Sequence, residues 1–157
     1  MPEKKTLERA RRDKKQGKAA TTQAGEFVRE EVEHVREGKH GARSAKQAIA
    51  IGLSKARRAG VHLPPPRAGT QKRSTRMKAA ADARKGTGEI SAPRTSAKRS
   101  RAAKQALTRE GSGAVSRQAL SRQAKSAAAK RGSASRSAAA LKAARTRKAP
   151  SASRRGR

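Results

Sequence analysis

The sequence predicts a mostly α-helical protein with extensive disorder, in which a small helical hairpin is flanked by basic, low-complexity arms. Three observations lead there. Leu, Ile, Val and Phe number only fifteen in 157 residues, about a tenth, below the roughly 20% at which a highly charged chain can be expected to hold a core. Much of the remaining apolar content is alanine, which favours helix strongly but buries little area. Finally, forty-two Lys and Arg stand against eleven acids, a net charge of +31 with one Phe and no Tyr or Trp. Such a surplus opposes compaction unless a polyanion neutralises it.

Residues 1–24 carry Leu7 and Ala10 as the only apolar marks between Pro2 and Gly17. They read as a basic N-terminal arm in which any helix is solvated and frayed. Residues 25–63 are the expected hairpin, because nine of the fifteen large apolar residues fall between Phe27 and Leu63. In its first helix, Glu26 to Glu37, Val28, Val32 and Val35 repeat at i, i+4 and i+7, and Gly38 follows as a stop. This helix is acidic, with five glutamates against Arg29 and Arg36, so its charges are expected to face the arm or the second helix.

The second helix has the clearest punctuation. Ser44 with Gln47 forms a capping-box pattern, and Gly60 is placed as a C-terminal stop from which Val61 can close onto Ala56. Ile49, Leu53 and Ala56 define the expected apolar face, widened by Ile51 and Gly52. Lys55, Arg57 and Arg58 crowd the last turn, where they suit the negative end of the helix dipole. Residues 64–75, opening on Pro64-Pro65-Pro66, read as a Pro-rich linker.

Residues 76–157 are an Ala/Lys/Arg/Ser-rich basic tail, disordered or transiently helical. Alanine-rich pieces near 76–84, 97–109, 114–131 and 136–148 are separated by Gly86, Pro93, Gly111, Gly113 and Gly132. A Lys/Arg-Gln-Ala motif recurs at Lys46, Lys104, Arg117 and Arg122. Its irregular spacing and lack of a buried stripe argue against a solenoid.

The chemistry of the chain points to binding. A sequence this poor in bulky apolar residues is not expected to wall off water from a catalytic cleft, so no enzyme is expected. There is no cysteine, hence no disulfide and no thiolate metal site. His34, His40 and His62 are the only imidazoles, and Glu33-His34 lacks the second helical histidine of an HExxH site. His34 is therefore expected on a solvated helix face, with no metal and no cofactor. Lys85-Gly86-Thr87-Gly88 lacks the strand and the Gly-Lys-Thr ending of a phosphate loop. A helix-turn-helix reader is disfavoured, because Gly38 to Arg43 is about twice the usual turn of three or four residues.

Between Ile90 and Arg157 nineteen Lys or Arg face one acid, Glu110. The expected nucleic-acid contacts are Lys46, Lys55, Arg57, Arg58, Lys98, Arg99, Arg101, Lys104, Arg117, Arg122, Lys125, Lys130, Arg131, Lys142, Arg145, Arg147 and Lys148. Without aromatic stacking platforms, backbone neutralisation is favoured over base reading. DNA is the expected partner, in a cytoplasmic, nucleoid-associated protein. RNA, as in a ribosome-associated protein, is the alternative. A third reading makes the hairpin a dimerisation or protein-interaction module with a solubilising tail. No stretch approaches the length of apolar chain that crosses a bilayer, so no membrane partner is expected.

The segment GEFVREEVEHVREGKHGARSAKQAIAIGLSKARRAGVHLPPP, residues 25–66, with KQAIAIGLSKARRAG at 46–60 as its core, resembles a family of small basic bacterial proteins of unknown function. The resemblance implies a bacterial source and carries no activity, ligand or catalytic residue. The tail is similar in composition to the C-terminal tails of linker histones and bacterial histone-like proteins.

Overall fold

A computed structural model describes residues 2–90 and 96–148, with side chains through Arg145. The described residues are helical and contain no strand. The helices are α1 (Lys4–Lys15), α2 (Ala20–Arg36), α3 (Ala45–Arg58), α4 (Arg73–Gly86), α5 (Ala97–Thr108), α6 (Arg117–Ala129) and α7 (Ser133–Lys148), with a 3-10 turn at Ser112–Val115 between α5 and α6. The mostly α class follows the sequence. The alanine-rich pieces beyond residue 76 coincide with α4 to α7, where propensity and glycine breaks dominate. Residues 149–157 and 91–95, on which part of the expected disorder falls, lie outside the described residues.

Local signals set the helix ends. The Ser44 hydroxyl accepts the Gln47 N–H at 3.2 Å, and the Gln47 amide oxygen accepts the Arg43 N–H at 3.0 Å, so the reciprocal bond of the box is donated by the residue before the cap. At the other end Gly60 adopts φ +84°. The Val61 N–H reaches Ala56 O and the Gly60 N–H reaches Arg57 O, both at 3.0 Å, the paired bonds of a Schellman closure. Helix α2 ends likewise at Gly38, with φ +71°.

Packing departs from the expected hairpin in extent. Helices α2 and α3 form the most extensive helix contact, and α1, α4 and the 3-10 turn close around them. One cluster joins Ala10, Ala24, Phe27, Ala56, Val61 and Leu63, with Leu7 against it. The second joins Val32, Val35, Ala42, Ala48 and Val115. Residues expected to form a solvated arm thus provide a packed helix, with Thr6, Ala10 and Asp13 buried. The buried side chains are small, or polar and partnered, so a count of large apolar residues misses them. Asp13 holds the Lys18 ammonium at 2.7 Å. Val115, from a segment that reads as low complexity, is completely buried.

The buried face of α3 is also rotated from expectation. It consists of Ala45, Ala48, Gly52 and Ala56, while Ile49, Ile51 and Leu53 are half-buried. Gly52 explains the choice: a Cβ there would lie 2.7 Å from Val28 Cα and 3.0 Å from Phe27 O. The two backbones touch where only glycine fits, and the large residues flank that contact.

Candidate nucleic-acid interface

Residues 96–145 contain thirteen Lys or Arg and one acid, Glu110. Helices α5 and α6 and the described part of α7 bury no residue. Their alanines supply helix propensity without an apolar stripe, so the basic side chains lie in solvent. Lys98, Arg99, Arg101, Lys104, Arg117, Arg122, Lys125, Lys130, Arg131, Lys142 and Arg145 are all exposed. Glu110 lies 3.5 Å from Arg43, outside this set. The side chains of Arg147 and Lys148 lie outside the described residues.

The four expected contacts on α3 divide. Lys46 is exposed and lines an open cleft of about 470 Å³ with Arg43, Arg122 and Gln123. Thus the α3 N-terminus and α6 bring three cations to one groove. Lys55 instead lies 2.7 Å from Glu31 and 3.3 Å from Glu30. Arg58 donates to Asp82 at 2.7 Å, a carboxylate that also accepts the Ser54 hydroxyl at 2.6 Å. Arg57 reaches the Leu63 and Pro64 carbonyls, and burial holds its guanidinium below its ordinary pKa. These three side chains secure α3 to its neighbours.

The same pairing pattern runs through the N-terminal body. Among the described residues, every acid except Glu8 and Glu89 has a Lys or Arg partner within ion-pair distance. Glutamates of α2 reach both neighbours, as the acidic-helix reading expects: Glu26 faces Arg9 of α1 at 3.7 Å, and Glu30 and Glu31 face Lys55 of α3. Most acids are used internally, and the exposed cations of α5 to α7 join those that α1 and α4 also present, among them Lys4, Lys5, Arg11, Lys14, Arg73 and Lys78.

A second constellation lies at the C-terminal end of α2, where the sequence suggested only a solvated histidine. Glu31 and His34 share a helical face at i and i+3. After Gly38 reverses the chain, with the Lys39 N–H bonded to His34 O at 3.0 Å, His40 returns over the same face. The rings of His34 and His40 meet edge-on, 6.2 Å apart. One ligand atom from each of Glu31, His34 and His40 lies within 4.8 Å of the others. Glu3 lies 2.8 Å from His34 Nε2. This hydrogen bond first, then Lys39, holds the Glu3 carboxyl below its usual value. The motif search missed the group because it sought two histidines on one helix, whereas these straddle a glycine stop.

Residues 3–67 match a protein family described as a family of unknown function, DUF6496. The match takes in α1, α2 and α3 and extends N-terminally beyond the segment that carries the resemblance in the sequence. No curated protein and no solved structure matches the chain. None of the described helices is long and apolar enough to cross a membrane.

Proposed function

We propose that the protein is a nonenzymatic, largely sequence-independent DNA-binding protein that neutralises backbone phosphates and thereby compacts or protects DNA in a bacterial nucleoid. The supporting observation is the division of charge. Most acids of the N-terminal body have a Lys or Arg partner within ion-pair distance, whereas thirteen cations of residues 96–145 share a segment with one acid that pairs with Arg43. Exposed Lys and Arg spaced by Ala and Ser can lie close to a phosphate backbone, and releasing counterions drives such binding. In this reading the body anchors the array, and the Ala/Lys/Arg/Ser-rich composition beyond residue 76 acts as a histone-like basic tail. Lys55, Arg57 and Arg58 serve the body.

The test is binding of the full chain to fluorescent duplexes of unrelated sequence, with structured RNA of equal phosphate number as competitor. Equal affinity across DNA sequences and weaker competition by RNA are expected. Preference for one DNA sequence, or for the RNA, overturns the assignment.

A further inference from the structure

We propose that Glu31, His34 and His40 form a binding site for a divalent transition-metal ion, with zinc as the natural probe. The inference starts from Glu31, which is completely buried and whose two carboxylate oxygens are buried without a hydrogen-bond partner among the described residues. Oε2 faces the Lys55 ammonium at 2.7 Å. Oε1 faces only His40 Nε2, at 3.4 Å, longer than the roughly 2.7–2.9 Å of a charge-assisted hydrogen bond.

Ring protonation makes this contact informative. His40 Nδ1 lies 3.1 Å from the Gly41 carbonyl oxygen, which can only accept, so the proton of the neutral ring belongs on Nδ1. In the neutral ring that leaves the Nε2 lone pair pointing at Glu31 Oε1, two acceptors face to face, a gap that a proton or a metal ion bridges. His34 is fixed in the opposite sense. Its Nε2 lies 2.8 Å from Glu3 Oε1, which places the proton there and leaves Nδ1 as the donor nitrogen. Each ring therefore has an outer hydrogen-bond acceptor and one nitrogen left to ligate, the arrangement that orients histidines at metal centres.

Geometry and charge agree with this assignment. Donors on a tetrahedral zinc with bonds near 2.0–2.1 Å stand about 3.4 Å apart, and the Glu31 Oε1 to His40 Nε2 separation is 3.4 Å. One ring nitrogen of His34 lies within 4.8 Å of the other two donors, and closing the site to tetrahedral spacing requires the His34 side chain to move inward. Glu30 and Glu31 share the single ammonium of Lys55, while Glu3 at the rim is already paired with Lys39, so the buried carboxylate pair is what leaves room for further positive charge. Two imidazoles with one carboxylate favour zinc and its neighbours over magnesium or calcium, which prefer all-oxygen shells.

The test is titration of the untagged, chelator-treated full chain with zinc, magnesium and cobalt(II), followed by calorimetry and, for cobalt, visible absorption. One zinc per chain is expected, with no response to magnesium and with cobalt absorption typical of a low-coordinate site. His34→Gln and His40→Gln should each weaken zinc binding at least tenfold and abolish the cobalt spectrum. Both positions are partly exposed, so circular dichroism can verify that these variants fold, which keeps the test decisive even if Glu31→Gln does not. Absence of zinc binding at micromolar concentration overturns the site, as does an equal response to magnesium or undiminished binding in the double histidine variant.

Discussion

Replacing Lys55 with Met keeps the aliphatic stem but removes the one ammonium that serves two buried carboxylates. The side chains of Glu30 and Glu31 are 2% and 1% exposed, and Lys55 Nζ lies 3.3 Å and 2.7 Å from them. Removing one partner of a buried ion pair costs about 3–5 kcal/mol, because the remaining charge has neither water nor counterion. The Lys55 side chain is 23% exposed, and water can enter where its tip was, so the lower figure, about 3 kcal/mol, applies. For a small domain that lowers the melting temperature by on the order of 10 °C. Thermal and urea unfolding followed by circular dichroism measures the loss, and Glu31→Gln in the same chain should recover a large part of it. A loss below about 1 kcal/mol, the range of exposed salt bridges, would refute the claim that these charges lie in the interior.

Gly52→Ala should destabilise the protein by about 1–2 kcal/mol in the same unfolding assay, because the new methyl meets the Val28 backbone at 2.7 Å and overpacking outweighs the helix propensity gained. A stabilised variant would contradict the close helix contact. Val115→Ala removes two methyl-sized volumes from a fully buried position and should cost about 2 kcal/mol. Hydrogen exchange should accelerate first around residues 108–120, and unchanged exchange there would mean that the 3-10 turn is not held by Val115. Ser44→Ala deletes the acceptor of the Gln47 N–H and should cost about 1 kcal/mol. No change in urea midpoint would show that the cap contributes nothing.

The sequence was most informative where structure is decided locally. Ser44, Gln47, Gly38 and Gly60 mark helix ends through bonds spanning a few residues, and the alanine-rich pieces beyond residue 76 become helices through propensity. It was least informative where the deciding partner is distant. Lys55 and Arg58 resemble other cations until Glu30, Glu31 and Asp82, 24 or 25 residues away, are brought beside α3. Helix α1 looked solvated because alanine, threonine and paired aspartate bury well without registering as large apolar residues. Val115 stands alone in a polar stretch, and only the hollow beside Val32, Val35 and Ala48 gives it a role. The Glu31, His34 and His40 group needed the reversal at Gly38, which sequence analysis placed, and the return of His40, which it did not follow.

The packing of Val115 and α4 also determines how the proposed function should be challenged. Truncation after residue 66 would open both sides of the body, whereas Lys98, Arg99, Arg101, Lys104, Arg122 and Lys125 are exposed and can be changed to Gln within the full chain. The most direct measurement is the affinity for duplex DNA as a function of salt, for the parent chain and this six-site variant. If about eight cations contact phosphate, the parent's log affinity should fall with log salt with a slope of about −7, and each contact removed should reduce its steepness by about 0.9. A parent affinity insensitive to salt, or a variant with the parent's slope, would contradict phosphate neutralisation by the exposed helices.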